Sequence, residues 1–278
     1  FQEFLKLGEN LPIRIFQVVP GGLPVDAKFS NSKSLTLSQE KTAVKHPHVL
    51  GLGEVFSWTK VTLRESKTMK SISSMLECDC IINGHTAGAS EKKLNAYVSS
   101  GILSCHEPIN FDQVLERLRL GMWIMIREGS IRRDLNEIIP RVLSHGTYLN
   151  RLMFCSDGLD PLDITKFGHI DHCIRESIRH GLKPIDAITI ASKNNFDYYN
   201  MGKDLGGIAP GKLADILIFD DLKSFKPTKV FVGGKLVISN GRFVIPIKKK
   251  SIPSWIKKTV KLKNFSKNDF LIKSKKKN

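Results

Sequence analysis

An α/β fold, built from repeated strand-helix units around a parallel sheet and followed by a small antiparallel β element, is what the sequence predicts. Three observations carry this. Five short apolar runs alternate with amphipathic helical patterns, the arrangement expected of βα units. The helical patterns begin on capping residues and stop on glycines, as folded helices do. After about residue 200 the rhythm changes to closely spaced strands broken by turn dipeptides, which argues for hairpins.

Taken in order, the apolar runs are HVLGLGEV (48–55), CDCIINGH (78–85), GILSCHE (101–107), MWIMIREGS (122–130) and RLMFCSD (151–157). Between them, SEKKLNAYVSSG starts on Ser90 and ends on Gly101. NFDQVLERLRLG places Phe111, Val114, Leu115 and Leu118 at helical spacing, from an Asn110 cap to Gly121. RRDLNEIIPRVL and HIDHCIRESIRHGLKPIDAITIAS supply helices after the last two runs. ADILIFDDL (214–222) and KVFVGGKLVISNGRFVI (229–245) read as strands, with turns at Gly233-Gly234 and Asn240-Gly241. The first 45 residues show no clear pattern and are expected to be weakly structured.

Composition narrows the class. With 278 residues and 41% hydrophobic content the chain has enough apolar material for a real core. It has no run near the roughly 20 apolar residues of a membrane span, and its opening lacks a signal-peptide pattern. A protein that is neither secreted nor membrane-bound is expected. Five scattered cysteines without a C-x-x-C pair point to a reduced, cytoplasmic setting. The formal charge of +16 is concentrated at one end, where residues 248–278 hold twelve Lys against one acid, Asp269. A solvated basic tail explains that imbalance better than a nucleic-acid-binding surface does.

The informative pattern lies at the ends of the apolar runs. Glu54 ends the first, His85 the second, His106 lies at the end of the third and Asp157 ends the last. In a βα barrel the strand ends converge on one face, where such enzymes keep their active sites. A single His or Asp after a strand is ordinarily a loop or turn residue, whereas four ligand-type residues in matching positions suggest a site for divalent Zn, Mn or Fe. His46-Pro47-His48 has H-x-H spacing but no strand before it, so a loop is expected there. His169 and His172, at i, i+3, are read as helix-start packing.

From about residue 49 onward the sequence resembles the adenine deaminases of the metal-dependent amidohydrolase superfamily. The stretches GLGEV, NGHTAGASEKKLNAYVSSGI, HE, LRLGMWIMIREGS, SDG and GHIDH, then GGIAPGKLADILIFDDL, carry the resemblance. It implies a partial (β/α)8 TIM-type metallo-hydrolase barrel over 1–200, a small β-sandwich segment over 201–246, and a Lys-rich start of a C-terminal domain or tail over 247–278. It implies that Glu54, His85, His106 and Asp157 are metal ligands, and that Asp157 also carries protons. It further implies hydrolytic deamination of adenine to hypoxanthine and ammonia by metal-activated water, with Mn or Fe favoured over Zn. Arg127, Glu128 and Ser130 are the positional candidates for the purine edge. A catalytically degenerate homologue, or an amidohydrolase for another cyclic amidine, is the alternative.

Departures from the family pattern accompany the match. The upstream H-x-H pair has no counterpart, and the family shows Asp where this chain has Asn83, Cys105 and Gly158. The chain is therefore expected to be the middle and rear of a longer enzyme, homo-oligomeric when complete.

Overall fold

The computed structural model describes residues 1–22, 34–222, 224–247, 250–257 and 262–272. It divides into two units, Phe1–Ile245 and Pro246–Asn278. In the first, strands β1 (Gln17–Pro20), β2 (Val49–Val55) and β3 (Ile81–Gly84) form one parallel sheet in the order β1-β2-β3. Strands β4 (Ser104–Cys105), β5 (Trp123–Arg127) and β6 (Leu152–Cys155) form a second, also parallel, in the order β4-β5-β6. The sheets meet where the Gly84 N–H donates to Ser104 Oγ at 3.2 Å. A Cβ on Gly84 would stand 2.5 Å from the Ser104 carbonyl oxygen, so only glycine permits that approach. Six parallel strands with helices between them make an incomplete (β/α)8 barrel, as expected.

The helices form where local chemistry directs. Asn110 Oδ1 accepts the Gln113 N–H at 3.0 Å and starts Phe111–Arg119, which Gly121 at φ +79° ends. Ser90 precedes Glu91–Val98, and Gly146 at φ +68° closes Leu135–His145. Ile170–Arg179 and Pro184–Ala191 follow β6. One buried cluster joins Ile124, Ile126, Leu152 and Phe154 to Phe111, Val114, Ile138, Val142 and Cys173, packing β5 and β6 against these helices. A second joins Val19, Val49, Leu52 and Ile82 to Ile72, Met75 and Tyr97 around the first sheet. Truncating one of the fully buried isoleucines to Ala is expected to cost about 2–5 kcal/mol.

Among the first 45 residues, those that are described hold more regular structure than their pattern indicates. They hold a helix, Gln2–Gly8, then β1, then a helix, Leu37–Ala43, whose Thr36 and Gln39 form a reciprocal capping box. β1 escapes periodicity because it is four residues long and ends on Pro20. It is defined by pairing with β2, a long-range contact.

Behind the parallel strands, β7 (Ile216–Phe219), β8 (Pro227–Val232), β9 (Lys235–Ser239) and β10 (Arg242–Phe243) form an antiparallel sheet in the order β10-β9-β8-β7. Arg14 Nε donates to Asp215 Oδ2 at 2.6 Å and Nη2 to Oδ1 at 3.1 Å, tying this sheet to the N-terminal segment. In the second unit, Ser254–Lys257 is a short helix and Lys267–Phe270 a 3-10 turn capped by Ser266 and Asp269. Residues 248–249, 258–261 and 273–278 of the lysine-rich tail lie outside the described residues. Among the described residues no helix is long and apolar enough to cross a membrane.

Candidate metal centre

Strand ends bring the chemistry together. Glu54 is the penultimate residue of β2 and His85 directly follows β3. Buried Tyr97 joins their backbones: its hydroxyl donates to the Val55 carbonyl and accepts the His85 N–H at 3.0 Å. His106 follows β4, and its Nε2 lies 3.0 Å from Glu54 Oε2. His85 Nδ1 lies 3.7 Å from the same oxygen, and the two imidazole centroids are 5.3 Å apart.

Glu107, which sequence reasoning did not single out, completes the cluster. Its Oε1 lies 3.3 Å from His106 Nε2 and 3.4 Å from His85 Nδ1. Alternation along a strand would send residues 106 and 107 to opposite faces. Here β4 stops at Cys105, so both side chains turn inward. The signal available was the acid in the HE pair itself.

Asp157, two residues beyond β6, has φ +51° and its side chain is 47% exposed. It joins the cluster through Arg127, whose Nη1 donates to Glu107 Oε1 at 2.6 Å and to Asp157 Oδ2 at 3.2 Å. Gly129 lets the β5 and β6 ends close up, since a Cβ there would stand 2.0 Å from the Ser156 carbonyl oxygen. Ligand atoms of Glu54, His85 and His106 lie within 4.8 Å of one another, as do those of His106, Glu107 and Asp157. Among the described residues His85 Nδ1 has no hydrogen-bond partner, although it is buried. An orphaned imidazole lone pair beside two carboxylates fits a divalent cation.

The electrostatics match this arrangement. Burial alone would raise the Glu54 carboxyl, but His106 at 3.0 Å and the neighbouring His85 imidazole hold it down at about 2. Glu107 is likewise held at about 2, burial being outweighed by His106, His85 and Arg127. Burial disfavours a charged His106, yet its hydrogen bonds to Glu107 and Glu54 lift it to about 10. A cation entering here displaces that proton.

The remaining candidates lie elsewhere. Ile124 and Ile126 face the helices, so Glu128 shares their side of β5 while Arg127 faces the cluster. Burial pushes the Glu128 carboxyl up to about 7; its Oε1 lies 3.7 Å from His172 Nε2 and its Oε2 has no hydrogen-bond partner among the described residues. Ser130 Oγ accepts the Asp160 N–H at 2.8 Å, fixing a loop. His169 Nε2 meets Ser156 Oγ at 3.1 Å, and His172 sits between Glu128 and Glu176. His46 and His48 precede β2, at the opposite end of that strand from Glu54. Asn83 Oδ1 accepts the Tyr198 hydroxyl at 2.8 Å. Cys105 Sγ meets Thr86 Oγ1 at 2.8 Å and accepts the Glu107 N–H. Both departures therefore act on the scaffold beneath the ligands.

Comparison with known proteins agrees with this architecture. The model of the amidohydrolase family matches residues 9–237. A protein of Cenarchaeum symbiosum (strain A) called adenine deaminase is 57% identical over 277 residues, covering all of this chain and 46% of that protein. An adenine deaminase of Kosmotoga olearia is 36% identical over 250 residues, 90% of this chain and 43% of its own length. The chain thus spans about half the length of the curated relatives it matches. Among solved structures, a beta-aspartyl dipeptidase from Fervidobacterium islandicum AW-1 superimposes with a TM-score of 0.65 at 17% identity, covering 90% of this chain and 73% of that one. That likeness speaks for the fold.

Proposed function

Because the chain belongs to the amidohydrolase family, we propose that it forms the metal-bearing face of an adenine deaminase, converting adenine and water to hypoxanthine and ammonia. The observation that carries this is the convergence of Glu54, His85 and His106 at consecutive strand ends, with His85 Nδ1 buried and, among the described residues, without a hydrogen-bond partner. Glu54, His85, His106 and Asp157 would hold Mn or Fe, with Zn the third candidate, since two imidazoles and carboxylates suit such ions better than Mg or Ca. Bound there, the metal supplies Lewis acidity and a water that ionises near neutral pH.

The chain's own residues do the rest. Asp157 is the exposed carboxylate of the cluster, and the role proposed for it is to take a proton from the attacking water and deliver it to the departing ammonia. General acid–base work of this kind contributes about 10² to 10⁴-fold. Among the described residues Arg127 has one buried donor, Nη2, without a hydrogen-bond partner, and it is the group proposed for the purine edge. Glu128, beside His172, and Ser130, whose Oγ accepts the Asp160 N–H, are the further candidates for that edge. A homo-oligomeric, cytoplasmic enzyme without nucleic-acid partners completes the reading, with functional divisions at 200/201 and 246/247.

Adenine-dependent ammonia release with added Mn²⁺ tests it, on this chain and on the longest reading frame containing it. Release by either supports the deaminase. Absence from both, in folded protein, gives the lead to the catalytically degenerate homologue.

A further inference from the structure

Asp157 poses a positioning problem. Its carboxylate is half exposed on a residue with left-handed backbone geometry, and among the described residues Arg127 is the one side chain that hydrogen-bonds it. An exposed carboxylate without a fixed partner samples several rotamers, each of which moves its oxygens. Arg127 is the opposite case. Its side chain is 4% exposed, and its donors are distributed among Glu107 at 2.6 Å, Asp157 at 3.2 Å and, through Nε, Asp134 at 3.3 Å.

Asp134 is itself fixed. It is 6% exposed, its N–H donates to the Arg127 carbonyl at 2.9 Å, and its Oδ1 accepts from Arg132 Nη2 at 3.1 Å. It also stands at the N-cap of Leu135–His145, where the positive end of the helix dipole favours an anion. A rigid line therefore runs from a helix terminus through Asp134 and Arg127 to the two carboxylates beside His106.

We propose that Arg127 is a positioning residue for the metal face: anchored by Asp134 and Glu107, it holds the Asp157 carboxylate in the geometry that lets it join His106 around a cation. The planar guanidinium suits this because its forked donors reach separate acceptors in fixed directions, which a lysine ammonium cannot reproduce. The inference rests on the metal-site reading of the cluster and is independent of which substrate the site takes.

Its signature is non-additivity. If Arg127 acts through Asp157, removing it weakens Mn²⁺ binding only while the Asp157 carboxylate is present. Mn²⁺ titration followed by electron paramagnetic resonance, without substrate, would be run on the chain and on Arg127→Met, Asp157→Ala and the double variant, each checked for fold by circular dichroism. Arg127→Met is expected to lose about tenfold in affinity, the scale of a lost orienting contact. In the Asp157→Ala background the same change should lose nothing further. Arg127→Lys should fall between wild type and Arg127→Met. Asp134→Asn, which keeps the guanidinium and loosens its anchor, supplies a milder variant expected to shift affinity in the same direction. Additive losses, wild-type affinity in Arg127→Met, or no Mn²⁺ binding by the unaltered chain would each overturn the proposal. Failure of both the chain and the longest reading frame containing it to release ammonia from adenine, with this pattern intact, would count against the deaminase reading alone.

Discussion

Replacing Glu128 by Gln should stabilise the folded chain in alkaline solution and change little in acid. The carboxyl is 7% exposed, and its Oε2 is buried without a hydrogen-bond partner among the described residues. Burial raises it from 4.5 to about 7, against a backbone hydrogen bond from Leu135 that pulls the other way. In the unfolded chain it ionises near 4.5, so between pH 4.5 and 7 the folded state binds the extra proton. Stability contributed by this group is therefore greatest below 4.5, falls as pH rises through the window, and reaches its full deficit above 7. At about 1.4 kcal/mol per pH unit the deficit comes to about 3 kcal/mol. Glutamine keeps the shape and the carbonyl acceptor for Leu135 without the charge. Urea unfolding followed by circular dichroism at pH 5 and pH 8 measures the effect. A gain of about 2–3 kcal/mol at pH 8 that shrinks to well under 1 at pH 5 is expected. Equal stabilities at pH 8 would refute the reasoning, because the carboxylate would then have found solvent or a partner.

Asp157→Ala in the complete enzyme should lower kcat for adenine by at least about 10²-fold with the far-ultraviolet spectrum unchanged; near-normal deamination would sink its role. In chelator, the chain should melt highest around pH 5 to 6: Glu54 and Glu107, held at about 2, contribute above 4.5 and lose their contribution as pH falls through 2. His106, lifted to about 10, contributes below 6.5 and loses its contribution as pH rises through 10. Added Mn²⁺ should flatten the alkaline side of that profile, and an unchanged profile would speak against binding at His106. Tyr97→Phe leaves the Val55 carbonyl and the His85 N–H without their partner, so it should cost about 1–3 kcal/mol in urea unfolding, and it should also weaken Mn²⁺ binding by displacing His85.

Much of the fold was legible because it is written locally. Asn110, Gly121 and Gly146 delimit helices through hydrogen bonds and φ angles within a few residues of themselves. The five apolar runs emerge as strands β2 to β6. β1 was not legible, since four residues ending in proline carry no period and acquire strand identity only by pairing with Val49 to Gly53. At the site, Glu54, His85 and His106 were readable as strand-end residues. Glu107 was hidden, because alternation predicts that it turns away from His106 and only the early end of β4 reverses that. Glu128 is the complementary case: proximity in sequence to Arg127 says nothing about which side of the sheet it occupies, and it lies beside His172 on the helix that follows β6.

By itself, then, the sequence determined the order of strands and helices, the family and the residue types available for chemistry, because caps, periodicity and turn glycines act over a few positions. The tertiary structure alone decided which of those residues meet. Arg127 touches Glu107 and Asp157, 20 and 30 residues away, since the parallel register of β4, β5 and β6 sets their ends side by side, and register is a property of the assembled sheet.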